Sequence, residues 1–257
     1  MLFKSNYFYC MKFKIRNIVN TASFSSPLGG GGNSLQGLGV LLFLSLFVTA
    51  VSAVELDSKN RDPKYVETIV ARSKKTVDKL ELKDAKVATN VTYIVANRYF
   101  KLNDIYAKRD TTIAKIKRSA LTGEAKNNAL TAAQNEKEAA VYRSHFAFPA
   151  ELSLFIDESQ IEANKDGITF GVVKVTYDAT LEMVPSLKAE EKAQILAWLK
   201  EAREFSIDAE NSDKKHAEFG KYKGRINNYL SVRGYDLVKE REGWYARNKA
   251  RDEAKKK

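Results

Sequence analysis

DAKVATNVTYIVANRYFKLNDIYAKRDTTIAKIKRSALTG, from Asp84 to Gly123, decides the fold of this chain. Its apolar positions Val87, Val91, Ile94, Leu102, Ile105, Ile113 and Ile116 step by three, four or multiples of these. Residues so spaced share one side of a 3.6-residue helix, which predicts a single long amphipathic helix. Asp84 offers a carboxylate to cap its start, and Thr122-Gly123 breaks it. Upstream, Asp62-Pro63 opens an earlier helix whose stripe is Val66, Ile69, Val70, Val77 and Leu80. Downstream, a third helix runs from Glu124 through an alanine-rich stretch toward Phe146 and Phe148, until Pro149 kinks or ends it. The fold class is all-α: a long N-terminal helical hairpin or three-helix bundle, with several shorter helices packed against it.

The second half is punctuated more often. Asp157 to Gln160 reads as a capping box starting a short helix that stops at Gly167. GITFGVVKVTY (Gly167–Tyr177) is rich in β-branched residues, has no partner strand in view, and is expected to form a loop or turn. After Pro185-Ser186 an amphipathic helix is expected from Ala189 to about Asp208, with Ile195, Leu196, Leu199 and Ala202 inward. Ser212 is the expected cap of the next helix, whose buried side is Phe219, Ile226, Tyr229 and Leu230 and whose end is Arg233-Gly234. Residues 239–257 read as a charged C-terminal helix and lysine tail, so the helical domain spans 54–238.

Ahead of that domain, no charged residue occurs between Asn17 and Val54. Lys4, Lys12, Lys14 and Arg16 precede an apolar run, Leu38–Val48, and Val51 and Ala53 supply small residues at an exit. That order is the pattern of a secretory signal, expected over residues 1–53 with cleavage after Ala53 and either Met1 or Met11 as the start. The mature protein is therefore expected to be periplasmic or secreted, without stable membrane insertion. It keeps 39 basic and 32 acidic residues of the chain's 43 and 32, a net charge of +7, and loses the single cysteine. Both signs are mixed along every segment, so nucleic acid is not an expected partner, since phosphate binding needs a clustered basic face. Without cysteines, the domain is held by packing alone.

No catalytic signature stands out. His145 and His216 are the two imidazoles, and no serine sits in a G-x-S-x-G elbow. Asp213 and His216 share a helix face at i, i+3, but a carboxylate-bridged metal site needs that element twice, so no metal and no cofactor is expected. The acids Asp157, Glu158, Asp166, Asp178 and Glu182 are dense enough to supply a glycosidase pair, and spacing does not choose among them. The chain reads as a non-enzyme, with glycan hydrolysis a remote alternative.

FGKYKGRINNYLSVRGYD (Phe219–Asp236) is the stretch that most invites a ligand. Gly220 and Gly224 fall inside a predicted helix, where each costs roughly 1 kcal/mol against alanine. Rings, amides and guanidinium groups surround them, the mixture that packs against a sugar's C–H face and holds its hydroxyls. The expected ligand-binding residues are Tyr177, Trp198, Lys221, Tyr222, Arg225, Asn227, Asn228 and Tyr235. The alternative at this stretch is structural, with Tyr229 and Ile226 in the core and Arg225 paired to a neighbouring acid.

Four segments carry a resemblance: Leu102–Asp110, Asp166–Gly171 with Thr176-Tyr177, Ala193–Glu204, and Lys215 through Leu237. Together they resemble a family of unknown function exported by glycan-degrading Gram-negative bacteria of the Bacteroidetes group, over roughly Pro63 to Leu237. The resemblance implies an all-helical periplasmic or secreted protein, often encoded beside polysaccharide-utilisation genes and described as sugar-binding, with no established catalytic residues. The chain departs from it in its long leader, in Pro149 and in Lys188, where a capping Thr is expected. Ile156–Gln160 and Leu187–Glu191 also resemble, loosely, the Leu-Thr-x-x-Gln element of Spy-like periplasmic stress chaperones. The expected partner is a glycan or a glycan-processing protein, the alternative function is chaperone-like or scaffolding, and the oligomeric state stays open.

Overall fold

A computed structural model describes residues 53–255. The expected leader lies outside the described residues except for Ala53. The described chain is all-helical: α1 (Pro63–Val77), α2 (Ala85–Arg118), α3 (Gly123–His145), α4 (Ala147–Leu152), α5 (Glu158–Ile168), α6 (Val172–Met183), α7 (Ala189–Ser206), α8 (Ser212–Val232) and α9 (Leu237–Ala254). Among the described residues, no helix is long and apolar enough to cross a membrane.

The helix starts follow local chemistry. Asp62 accepts from the Tyr65 amide at 2.8 Å, with Pro63 in the first turn. Asp84 accepts from Lys86 and Val87. Asp157 and Gln160 close a reciprocal capping box at 2.9 and 3.1 Å. Asn211 rather than Ser212 caps α8, accepting from the Lys214 amide. At α7 the N-cap Lys188 gives no side-chain cap, and Glu191 instead accepts from the Lys188 amide at 2.9 Å.

The stretch Gly167–Tyr177 corrects its sequence reading. It is not a loop: α5 continues to Ile168, a tight joint covers Thr169–Gly171, and Val172–Tyr177 begins α6. Tertiary burial overrides β-branched propensity here. Val173 and Thr180 are buried, and the Thr180 hydroxyl donates back to the Thr176 carbonyl at 2.7 Å. The C-terminal segment also starts earlier than expected, at Leu237. It docks on α6 through Trp244 Nε1 to Glu182 and Arg247 to the Glu182 and Met183 carbonyls.

Two main apolar clusters organise the packing. One joins α1, α2, α4 and α5 through Val77, Val91, Val95, Phe148, Leu152 and Ile161. The other joins α6, α7 and α8 through Val173, Ile195, Leu199, Phe219, Ile226 and Leu230. A smaller cluster of Ile69, Ala96 and Phe100 seals α1 onto α2. Buried charge links the halves. Arg203 of α7, 2% exposed, reaches Glu162 and Asp166 of α5 at 2.5 and 2.8 Å. Gly167 lets α5 press on α1, because a Cβ there would lie 2.6 Å from the Thr76 methyl.

Candidate functional site

The residues expected to bind a ligand do not converge. Trp198, Tyr222 and Arg225 do meet on the flank between α7 and α8, where the Arg225 guanidinium lies 4.5 Å from the Trp198 ring and 5.9 Å from that of Tyr222. Asn227 lies roughly 160° around the helix from Arg225. It faces a separate groove of about 320 Å³ with Thr176, Met183 and Trp244. Tyr177 packs against the α6–α8 core, and Asn228 is exposed.

The polar groups of that flank are already matched. Arg225 reaches Glu201 at 3.4 Å, Lys221 reaches Glu218 at 2.7 Å, and Tyr235 donates to Glu191 at 2.6 Å. That last bond holds the Glu191 carboxyl below its usual range and pushes the Tyr235 hydroxyl up to about 12. Gly220 and Gly224 do not mark a close crossing, since a Cβ at either would meet nothing within 4 Å.

A larger site lies elsewhere. A cleft of about 930 Å³ runs between α1 and α2 and is closed by the α5–α6 joint and the α7–α8 connection. One face of α1 supplies Tyr65, Thr68, Arg72 and Lys75, continued by Lys79 in the 3-10 turn Asp78–Leu80 that follows it, and one face of α2 supplies Tyr99, Asn103 and Tyr106. Both sets recur at three- and four-residue steps, so each helix presents them as a single row. Phe170 stands at the joint, while Glu210, Asn211, Ser212 and Lys215 come from the connection and from α8. Burial raises Tyr65 and Tyr99 above the usual phenol range and pushes Tyr106 up to about 12, aided by Glu210 and Asp208. The hydroxyls therefore stay protonated, and that of Tyr106 is already given to the Asp208 carbonyl.

Phe170 is held against conformational preference. It occupies the left-handed region at φ 62°, where the α5 C-terminus closes by Gly171 N–H to Asp166 O at 2.8 Å. Glycine usually takes this position, and a bulky residue there costs roughly 1–2 kcal/mol. Its ring is more than half exposed and stacks on His216 at 5.3 Å.

Lys215 is the buried cation of the cleft. Only 6% exposed, it donates to the Ser206 and Ile207 carbonyls at 3.2 and 3.4 Å. Burial lowers its ammonium to about 8, Arg98 and Arg72 add to the fall, and Asp208 opposes it.

The connection bearing these groups is anchored by a buried polar tie. Arg98 of α2 bridges the Ser144 carbonyl and hydroxyl of α3, at 2.9 and 2.7 Å, and the carboxylate of Asp208. Tyr106 donates to the Asp208 carbonyl at 2.8 Å. Asp208 also meets His145 Nδ1 at 2.8 Å, and His145 Nε2 lies 3.8 Å from Glu204. These last groups line a second cleft of about 730 Å³ with Tyr142, Phe146 and Phe205. Among the described residues, no serine or cysteine lines that cleft. Among the described residues, no group of three or more His, Cys, Asp or Glu side chains could hold a metal ion.

The sequence expectations do not point to the α1–α2 cleft. Its signal was present in the polar and aromatic rows of α1 and α2, beside their apolar stripes, while the α7–α8 wall depends on long-range packing.

A search of curated proteins returns no match. A family model described as DUF3826, protein of unknown function, matches residues 66–250, which covers α2 through α8 and most of α1 and α9. The chain thus belongs to the DUF3826 family of proteins of unknown function.

Proposed function

We propose that this is an exported, non-enzymatic carbohydrate-binding protein of a polysaccharide-using organism, and that its binding site is the α1–α2 cleft. The observation that carries the reading is the lining itself. The rings of Tyr65, Tyr99, Tyr106 and Phe170 are interleaved with the hydrogen-bonding side chains of Thr68, Asn103, Asn211 and Ser212. A pyranose presents an apolar C–H face and a rim of hydroxyls, so it needs both kinds of partner at once. Phe170 adds support, because strain kept in an exposed aromatic at a cleft mouth is characteristic of functional positions. The apolar run Leu38–Val48 with its small-residue exit supports export.

Isothermal titration of the purified protein against neutral and acidic oligosaccharides is the test. Binding that Phe170→Ala or Asn103→Ala weakens at least tenfold, with unchanged thermal melting, fits the reading. Absence of binding across the whole set would overturn it.

A second reading, capture of exposed apolar segments by a chaperone-like protein, draws on a different observation. Tyr142, Phe146 and Phe205 stand 57–68% exposed around the second cleft. It predicts suppression of client aggregation in a light-scattering assay, lost in Phe146→Ser/Phe205→Ser.

A further inference from the structure

The charges lining the α1–α2 cleft are unequally matched. Its two acids are already engaged: Asp110 and Glu210 both meet Arg109, at 2.7 and 3.1 Å. Its four cations are Arg72, Lys75, Lys79 and Lys215, and among the described residues none has a carboxylate within the 4.0 Å of an ion pair. Surface lysines without partners are ordinary, and Lys75 and Lys79 would carry no argument alone.

Arg72 and Lys215 are different because they converge. They come from helices far apart in the chain, and their charged ends lie 5.9 and 6.0 Å from the centroid of the same ring, Tyr99. A fold that brings two like charges to one ring, one of them 6% exposed, stores repulsion and desolvation that an anion between them would relieve. Lys215 uses two N–H groups on backbone carbonyls, and among the described residues no acceptor takes its third. Asp208, the acid whose charge acts on it, is committed to Arg98 and His145.

We infer that the cleft selects an acidic sugar, a pyranose carrying a carboxylate or a sulfate ester, whose anionic group sits between Arg72 and Lys215 at the edge of Tyr99. This rests on the carbohydrate-binding reading and narrows it. The two sources of negative charge differ in shape. A planar carboxylate matches the guanidinium fork side on, whereas a sulfate offers a tetrahedral set of acceptors to both cations.

The test titrates the purified protein with a galacturonate oligosaccharide, with the same oligosaccharide after reduction of its carboxyls to alcohols, and with a sulfated galactan oligosaccharide of equal length. The inference expects at least tenfold tighter binding of one or both acidic probes than of the reduced one, weakening as salt is raised. The better acidic probe then identifies the group. Arg72→Gln, at an exposed position with no ion-pair partner among the described residues, removes at least tenfold of that preference for the acidic over the reduced probe. Lys215→Met keeps the buried volume and does the same.

Equal affinity for the acidic and reduced probes, lost together in Phe170→Ala, would overturn this inference and leave the carbohydrate reading standing. Binding of acetate or inorganic sulfate as tight as that of the oligosaccharides would overturn both, marking a simple anion site. So would failure of every sugar to bind.

Discussion

The α7–α8 flank and the α1–α2 cleft contain the same kinds of side chain: tyrosines, guanidinium groups, lysines and asparagines. They differ in what those groups have left to give. On the flank, Arg225, Lys221 and Tyr235 are matched by Glu201, Glu218 and Glu191, and Arg233 lies 3.9 Å over Tyr229 while also reaching Glu191 at 3.5 Å. In the cleft the acids are occupied by Arg109, and the cations around Tyr99 are not matched. Composition suggests a binding surface in both places, and partner accounting separates them. A charge satisfied by its own fold stabilises that fold weakly, whereas an unmatched charge in a cleft is available to a ligand.

The largest expected effect concerns the tie that holds the cleft wall. Asp208→Ala strands Arg98, which is 7% exposed, and should cost about 3–5 kcal/mol by urea melting. The exposed counterpart on the flank, Glu201→Ala, should cost less than about 1 kcal/mol. Comparable losses would show that burial does not distinguish the two regions.

Next is Phe170→Gly, which separates stability from function at one position. Glycine relieves the left-handed strain and should stabilise the fold by about 1 kcal/mol, while sugar affinity drops about tenfold. A variant that binds as well as the parent would remove Phe170 from the site.

The pH dependence of the cleft follows from Lys215, faced by Arg72, Arg98, Asp208 and the Tyr99 ring. Its folded value of about 8 lies below the ordinary 10.5, so the ammonium is fully present only below about pH 8. Affinity for an acidic oligosaccharide should therefore fall as pH rises through 8, and Lys215→Met should flatten that profile. The folding contribution runs the other way. Between pH 8 and 10.5 the unfolded chain binds the extra proton, so this group's penalty is full below 8 and is relieved as pH rises.

The smallest effect concerns the flank's glycines. Gly220→Ala and Gly224→Ala meet open space and lie in regular helix, so each should stabilise by roughly 0.5–1 kcal/mol with sugar binding unchanged. Loss of binding in either would return the ligand to α8.

Much of the fold is legible in the sequence because its signals are local. The Asp84 cap and the three-and-four spacing of Val87, Val91 and Ile94 delimit α2, and Asp157 with Gln160 starts α5. Val172–Met183 defeats that approach. Its β-branched run is helical because Val173 and Thr180 are buried within the C-terminal half, which no short window reveals. The α1–α2 cleft is hidden from the sequence for a related reason. Tyr65, Thr68 and Arg72 sit in one readable row on α1, but the row becomes a cleft only when α2 and the α7–α8 connection close over it. Conversely, the Phe219–Asp236 stretch advertises rings and cations, and the glutamates that engage Lys221, Arg225 and Tyr235 come from α7 and from the preceding turn of α8.

The contrast between the two regions is tested most directly by backbone amide NMR of the isotopically labelled protein, titrated with a galacturonate oligosaccharide. The account predicts saturable shifts at Thr68, Arg72, Asn103, Phe170 and Asn211, with Tyr222, Asn227 and Asn228 unmoved. Shifts confined to α8 between Lys221 and Tyr235, with the α1–α2 cleft silent, would contradict it.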